Sequence, residues 1–265
     1  MFLAEPVYSV VDFSFYKRAV ARSGWRALGY LVYLGLLFSL ASTVSLYLKE
    51  GPIMDGLIDW AATSIPALTL ADGKISSSVT APTIVRNPKA PGLSVMIDLA
   101  RTTPVTLEEM SKQRIMAYLT QSKIYMVTGP DRMQSYDLSR SPNSKPLVID
   151  GNFYRTYGGV LLMILYPAAW LISWAGFICW KLLTALFYSL LGLLLNAILS
   201  GGLPYASLYK IAVYAQTPVI LLQGLSLFIT RQIPGFFLIS ILITGVYIWQ
   251  AVRQNKLVSE QGAPS

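Results

Sequence analysis

Six residues set three or four apart, Lys181, Thr184, Tyr188, Gly192, Asn196 and Ser200, share one face of any helix drawn through them. The stretch around them is otherwise Leu, Ala, Phe and Ile. A polar stripe on an apolar helix has two uses. It lines a pathway for a polar solute, since ionisable groups inside lipid often mark such routes. Otherwise it is a packing seam, where small and hydrogen-bonding residues let helices approach closely. The stripe carries one charge and no apolar stretch contains an acidic residue to answer it, which favours packing. Gln216, Thr217 and Pro218, together with Gln223, are candidate partners for Asn196. Pro218 also frees a backbone carbonyl, so a kink is expected there.

The rest of the side-chain inventory excludes most catalysis. The chain has no histidine, which removes His-based acid/base chemistry, His metal sites and Ser–His or Cys–His nucleophiles. Its one cysteine, Cys179, falls in an apolar run, so no disulfide forms within the chain. Glu108 and Glu109 are adjacent, so their side chains diverge by about 100° on a helix, and a solvated place in a first turn accounts for them. Gly201-Gly202 lacks the Gly-Lys-Ser/Thr of a phosphate loop and a preceding strand. No catalytic residue, cofactor or metal is expected, and the chain reads as a non-enzyme.

The elements that hold these residues are built for lipid: 54% of the 265 residues are apolar and 13% charged. Residues 28–48 contain no charge and are long enough to cross a hydrocarbon layer, which takes about 20 residues. A cleaved signal peptide would have a shorter apolar core nearer the start, so an uncleaved anchor is expected. Residues 49–156 change character, with 12 Lys/Arg and 10 Asp/Glu and no run able to span. This region reads as water-facing. Short strands are expected at Ala67–Val79 about an Asp72-Gly73 turn, Leu93–Leu99, Lys123–Thr128, Gln134–Leu138 and Pro146–Ile149, with turns at Gly129-Pro130-Asp131 and Ser141-Pro142-Asn143. One helix is expected over 106–121, with Thr106 as N-cap and Leu107, Met110, Ile115 and Leu119 near one face. One mixed sheet carrying that helix would bury a single core.

Apolar stretches resume at 157–200, 211–229 and 235–252. The first would be roughly 66 Å as one helix, about twice the hydrocarbon thickness. It is either one long bent helix or two spans hinged at "FICWKLLT". Lys and Arg collect in short cytoplasmic segments. Four spans place Lys17, Arg18, Arg22, Arg26, Lys210, Arg253 and Lys256 inside against Arg231 outside; five spans divide the cations six to three. The expected fold is therefore an α-helical polytopic membrane protein, four spans favoured and five open, with a small α+β extracytoplasmic domain inserted between spans 1 and 2. Its parts are a cytoplasmic amphipathic segment 1–27, span 28–48, outer domain 49–156, helix 157–200, cytoplasmic loop 201–210, spans 211–229 and 235–252, and tail 253–265.

The net charge of +8 is read as topology rather than nucleic-acid binding. Lys17, Arg18, Arg22 and Arg26, interleaved with aromatic residues, suit an interfacial helix on anionic lipid at about 1 kcal/mol per basic residue. Trp25, Tyr30 and Tyr33 would add interfacial anchoring.

One span, an outer domain with "ALTLADGKISSSVTAP" and "LSVMIDLA", then "GGLPYASLYKIAVYAQTPVILL" together resemble the bacterial membrane family known as domain of unknown function 1189, of the Yip1-like superfamily. The resemblance implies that the Gly201-Gly202 turn is cytoplasmic, which agrees with four spans. It also implies an inner-membrane protein without established enzymatic activity, some relatives being linked to maltodextrin utilisation. Relatives often follow the external aspartate with Thr-Thr-Gly, whereas Asp98 here precedes Leu99-Ala100-Arg101, so the resemblance carries no ligand role onto that loop. The function expected is that of an accessory or scaffold protein whose outer domain meets an envelope partner or ligand, with an association to maltodextrin-type sugar uptake. A small transporter, channel or flippase component using the polar stripe is the alternative. Expected partners are membrane lipid and a membrane or envelope protein, with a homo-oligomer open.

Overall fold

The computed structural model describes residues 2–79, 82–140, 145–229 and 233–261. The turn expected at Ser141-Pro142-Asn143 and the outer-loop Arg231 lie outside them. The helices are α1 (Glu5–Val11), α2 (Phe15–Ala21), α3 (Gly24–Ser64), α4 (Leu107–Gln113), α5 (Gly151–Ile198), α6 (Tyr205–Ala215), α7 (Thr217–Ser226) and α8 (Phe236–Gln261). Three of these, α3, α5 and α8, are long and apolar enough to cross a membrane. The chain divides into two compact units, Met1–Lys49 with Leu165–Ser265, and Glu50–Ile164.

Three expectations about the helices are corrected. The helix of the expected span 28–48 is longer than the span, because α3 runs from Gly24 to Ser64 through Pro52, into the region expected as the outer domain. Beyond Lys49 its Met54, Leu57, Ile58 and Ala61 recur at helical spacing and face Tyr154, Gly158, Leu161 and Leu162 of α5, so an apolar seam keeps this polar stretch helical. The 157–200 stretch is one continuous helix, the first of the two readings, but it begins earlier, at Gly151, and no reversal interrupts it at 177–184 as five spans would need. The 211–229 stretch is two helices, α6 of 11 residues and α7 of 10, meeting at Gln216. Pro218 cannot donate to the carbonyl four residues back, that of Tyr214, and the Thr217 hydroxyl takes it instead at 2.7 Å.

In the first unit α2 packs on α6 and α8. Phe15, Tyr16, Tyr30, Tyr214 and Ile248 are fully buried between these elements. Tyr30 is thus a core residue hydrogen-bonded to Thr217 at 2.6 Å and not an interfacial anchor, while Trp25 is 82% exposed. The side chains that face outward from α3, α5, α7 and α8 include Leu40, Leu190, Leu225 and Leu242, a surface suited to lipid rather than water.

The second unit holds β1 (Leu68–Ala71), β2 (Lys74–Ser77), β3 (Thr83–Arg86), β4 (Ser94–Ile97), β5 (Ala117–Leu119), β6 (Lys123–Gly129), β7 (Arg132–Asp137) and β8 (Leu147–Ile149). The β1–β2 hairpin turns at Asp72 and Gly73, both at positive φ (50° and 71°), as a tight two-residue turn requires. Instead of one sheet there are two, ordered β2-β1-β8 and β3-β4-β5-β6-β7. The helix expected over 106–121 is only α4: Thr106 caps it by accepting from Glu109 N, and Arg114 ends it in the left-handed region. Residues 117–119 are then strand β5, parallel to β4. Alternation along the central strands sorts the core. Val95, Ile97, Leu119 and Ile124 face the three-stranded sheet and Trp60, whereas Met96, Tyr118 and Tyr125 meet Met110 and Ile115 of the α4 segment.

Candidate functional site

The polar stripe of α5 faces inward. Lys181 and Tyr188 are buried, and a side chain at Gly192 would meet Ile248 and Leu208 at 3.5–3.6 Å. Thr184 Oγ1 donates to Gln216 Oε1 at 2.7 Å, and Gln216 Nε2 donates back to the carbonyl of Ala212 at 3.2 Å. Lys181 Nζ donates to Gln223 Oε1 at 2.8 Å. Gln216 and Gln223 are therefore partners of Thr184 and Lys181, and not of Asn196 as expected. Asn196 instead binds Leu203 both ways, Nδ2 to its carbonyl at 3.1 Å and Oδ1 from its N–H at 3.2 Å. That clamp closes the Gly201-Gly202 turn, where Ser200 and Gly202 have positive φ and a Cβ at Gly201 would lie 2.6 Å from Asn196 Oδ1. Ser200 is exposed and leaves the stripe.

The N-terminal basic residues are mostly paired. Arg22 and Arg26 both reach the buried Glu5, at 2.9 and 2.7 Å, and Arg18 reaches Asp12 at 3.0 Å. Lys17 is half-buried on α2. Lys210 Nζ donates to the carbonyls of Val20 and Arg22, and the Tyr247 hydroxyl donates to that of Val10 at 3.0 Å. These bonds gather the N-terminal helices against the middle of α6 and the middle of α8. The Leu227 carbonyl accepts from Ser45 and from Lys49, each at 2.7 Å.

The second unit holds a site that the sequence did not reveal. β4 and β5 run parallel, and the loops that leave their carboxyl ends, Leu99–Pro104 and Thr120–Ser122, enclose with Lys123 and Tyr125 a polar cleft of about 420 Å³. The carboxyl ends of parallel strands are where such sheets commonly take ligands, because both loops diverge there. Arg101 braces one wall: its Nη2 donates to Glu109 Oε2 at 2.8 Å and to the Pro104 carbonyl at 3.2 Å, and its Nε to that of Thr103 at 3.2 Å. The Tyr118 hydroxyl donates to Asp98 Oδ2 at 3.0 Å and accepts from Arg101 at 3.2 Å. Glu109 is thus not merely a solvated first-turn acid. The Arg101 hydrogen bonds hold its carboxyl below the usual range and raise the guanidinium in turn, while burial pushes the Tyr118 phenol up. Only Glu108, paired with Lys112 at 2.8 Å, behaves as expected. With Arg101 committed, and the Thr120 hydroxyl bonded to the backbone of Lys123 both ways at 3.0 and 3.1 Å, the groups left to a ligand are the Thr102, Thr103, Gln121 and Ser122 side chains and the Lys123 ammonium. Among the described residues no cluster of His, Cys, Asp and Glu could hold a metal.

These features define a chain with three helices long and apolar enough for a membrane and a small α+β region between two of them. It belongs to the family described as "Protein of unknown function (DUF1189)", whose model matches residues 6–252. No curated protein and no solved structure matches it.

Proposed function

We propose that this chain is a non-enzymatic accessory protein of the bacterial cytoplasmic membrane whose α+β region, facing outward, binds a hydroxyl-rich ligand of the sugar class for an uptake system in the same membrane. The observation that carries this is the cleft at the carboxyl ends of β4 and β5. Its free groups are hydroxyls, an amide and one ammonium, which donate to and accept from sugar hydroxyls. No nucleophile–base pair or carboxylate dyad lines it. The resemblance of the sequence to relatives linked with maltodextrin utilisation points to the same ligand class.

A four-crossing arrangement, N-terminus cytoplasmic and residues 49–156 extracytoplasmic, accompanies this function. Its support is the pair α6–α7. The pair is tied to Arg22 through Lys210 and to Lys49 through Leu227, and its residues 205–226 rise about 33 Å as helix, close to the hydrocarbon thickness. Gln216 keeps helical dihedrals at the break, so the two short helices together suffice for a crossing. A transporter acting along the α5 stripe has the inward packing of Tyr188 and Gly192 against it.

The test is calorimetric titration of the full chain in mild detergent with maltotetraose, beside a Ser122→Trp variant whose indole fills the cleft. Saturable heat in the parent that disappears in S122W supports the function. Absence of saturable heat, or equal heat in both, overturns it.

A further inference from the structure

Lys181 is 5% exposed, on an apolar helix, and its ammonium has three N–H donors of which Gln223 accepts one. The Phe177 ring lies 5.6 Å from Nζ and offers its π face. Among the described residues no anion answers the charge. The two carboxylates described in this unit, Glu5 and Asp12, are held by Arg22 and Arg26 and by Arg18. Gln216, Thr184 and Tyr188 bring no charge to this part of α5. A buried cation usually carries a counter-ion or a full set of acceptors, because an unanswered charge in an apolar interior is costly.

A cavity opens beside it. Lys181 and Gln223 form its polar end, and Phe38, Trp180, Leu227 and Phe236 supply apolar walls around about 470 Å³, the size range of small-molecule sites. At Gly176, on the same wall, an added Cβ would meet nothing within 4 Å, so the space there is open. Ser173 and Ser226 also line it, the latter donating to the Gln223 carbonyl, so one cationic end and a mainly apolar lining match one ligand chemistry, a single anionic group on a hydrocarbon tail. We infer that this cavity binds an anionic amphiphile, its phosphate or carboxylate oxygens on Lys181 Nζ and its chain against Phe38, Trp180 and Phe236. The site lies outside the sugar cleft and is independent of it.

The test uses the full chain purified in non-ionic detergent, stripped of lipid and examined by native mass spectrometry with added phosphatidic acid, phosphatidylglycerol, oleate or phosphatidylcholine. One equivalent of an anionic species is expected to stay bound under activation that removes phosphatidylcholine. Preference for a phospholipid over oleate identifies a membrane headgroup as the source, and the reverse identifies a free fatty acid. Lys181→Met is expected to weaken retention at least tenfold while Lys181→Arg keeps it. Gly176→Leu, which occupies the cavity without touching the ammonium, is expected to weaken it comparably. Unchanged retention in both K181M and G176L, or phosphatidylcholine held as firmly as the anionic species, overturns the inference.

Discussion

At the scale of single residues, the chain spends its charges in two ways. Arg101 is a brace: every donor group of its guanidinium is committed, to Glu109, Tyr118 and the carbonyls of Thr103 and Pro104, so it shapes the cleft wall instead of binding through it. This gives a pH dependence with a definite sign. Glu109 has a folded value below its ordinary 4.5 because Arg101 hydrogen-bonds the ionised form. Its contribution is therefore present above that pH and is lost as the pH falls through the folded value. Glu109→Gln is expected to cost about 1 kcal/mol at neutral pH, a small figure because the pair is partly solvated. Thermal unfolding of the full chain in detergent is expected to show the gap between parent and E109Q closing below about pH 4.5; a gap independent of pH would mean that Glu109 acts only by shape. Lys181 is the opposite case, a donor group left mostly unanswered. That Lys181 has no acidic residue near it in its apolar run was legible in the sequence; the partners were not, because each is fixed by tertiary contact: Asp98 meets Tyr118 across two strands, and Gln223 reaches Lys181 over 42 residues.

At the scale of elements, local chemistry was readable and non-local pairing was not. Asp72-Gly73 between alternating apolar residues specifies a hairpin through backbone sterics alone, and the hairpin is there. Thr106 caps a helix as its type demands, yet the helix stops at Arg114. The following Ala117-Tyr118-Leu119 is strand because β4 and β6 offer hydrogen bonds on both sides, and so short a segment has no propensity strong enough to resist them. Likewise Pro218 signalled a disturbed helix but not that Thr217 would repair the freed carbonyl. Glycine geometry supplies the predictions here. At Gly73 φ is +71° and an added Cβ would lie 2.8 Å from both the Leu138 carbonyl oxygen and Ser139 Cα. At Gly202 φ is +66° with open space around it. Gly73→Ala is expected to cost about 2–3 kcal/mol, and Gly202→Ala about 1 kcal/mol from the left-handed backbone alone. Comparison of their midpoints in thermal unfolding checks this order. At Gly151 φ is ordinary but an added Cβ would sit 2.6 Å from the Ala62 carbonyl oxygen. Gly151→Ala is accordingly expected to raise hydrogen exchange at the end of α3 and the start of α5.

At the scale of the whole molecule, the number of crossings decides which ends of the chain share a side. Three long helices alone would leave the N-terminus and the end of α8 on opposite sides of a membrane, whereas a fourth crossing by α6–α7 returns them to one side. The second arrangement is the one we propose, and the hydrogen bonds Tyr247 to Val10 and Lys210 to Arg22 agree with it, since they hold α6 and the middle of α8 against the N-terminal helices within one compact unit. It also collects Lys17, Arg18, Arg22, Arg26, Lys210, Arg253 and Lys256 on that side, as the distribution of cations in short cytoplasmic segments demands. With Cys179 replaced by Ser, single cysteines at Ser23, Ser78 and Arg253, all exposed, make the test. In intact spheroplasts a membrane-impermeant maleimide is expected to label S78C and to reach S23C and R253C only after permeabilisation. Labelling of R253C with S78C would remove the fourth crossing and leave α6 and α7 on one side. Labelling of S23C and R253C without S78C would invert the molecule, putting the β4–β5 cleft in the cytoplasm, where it could not receive a ligand arriving from outside.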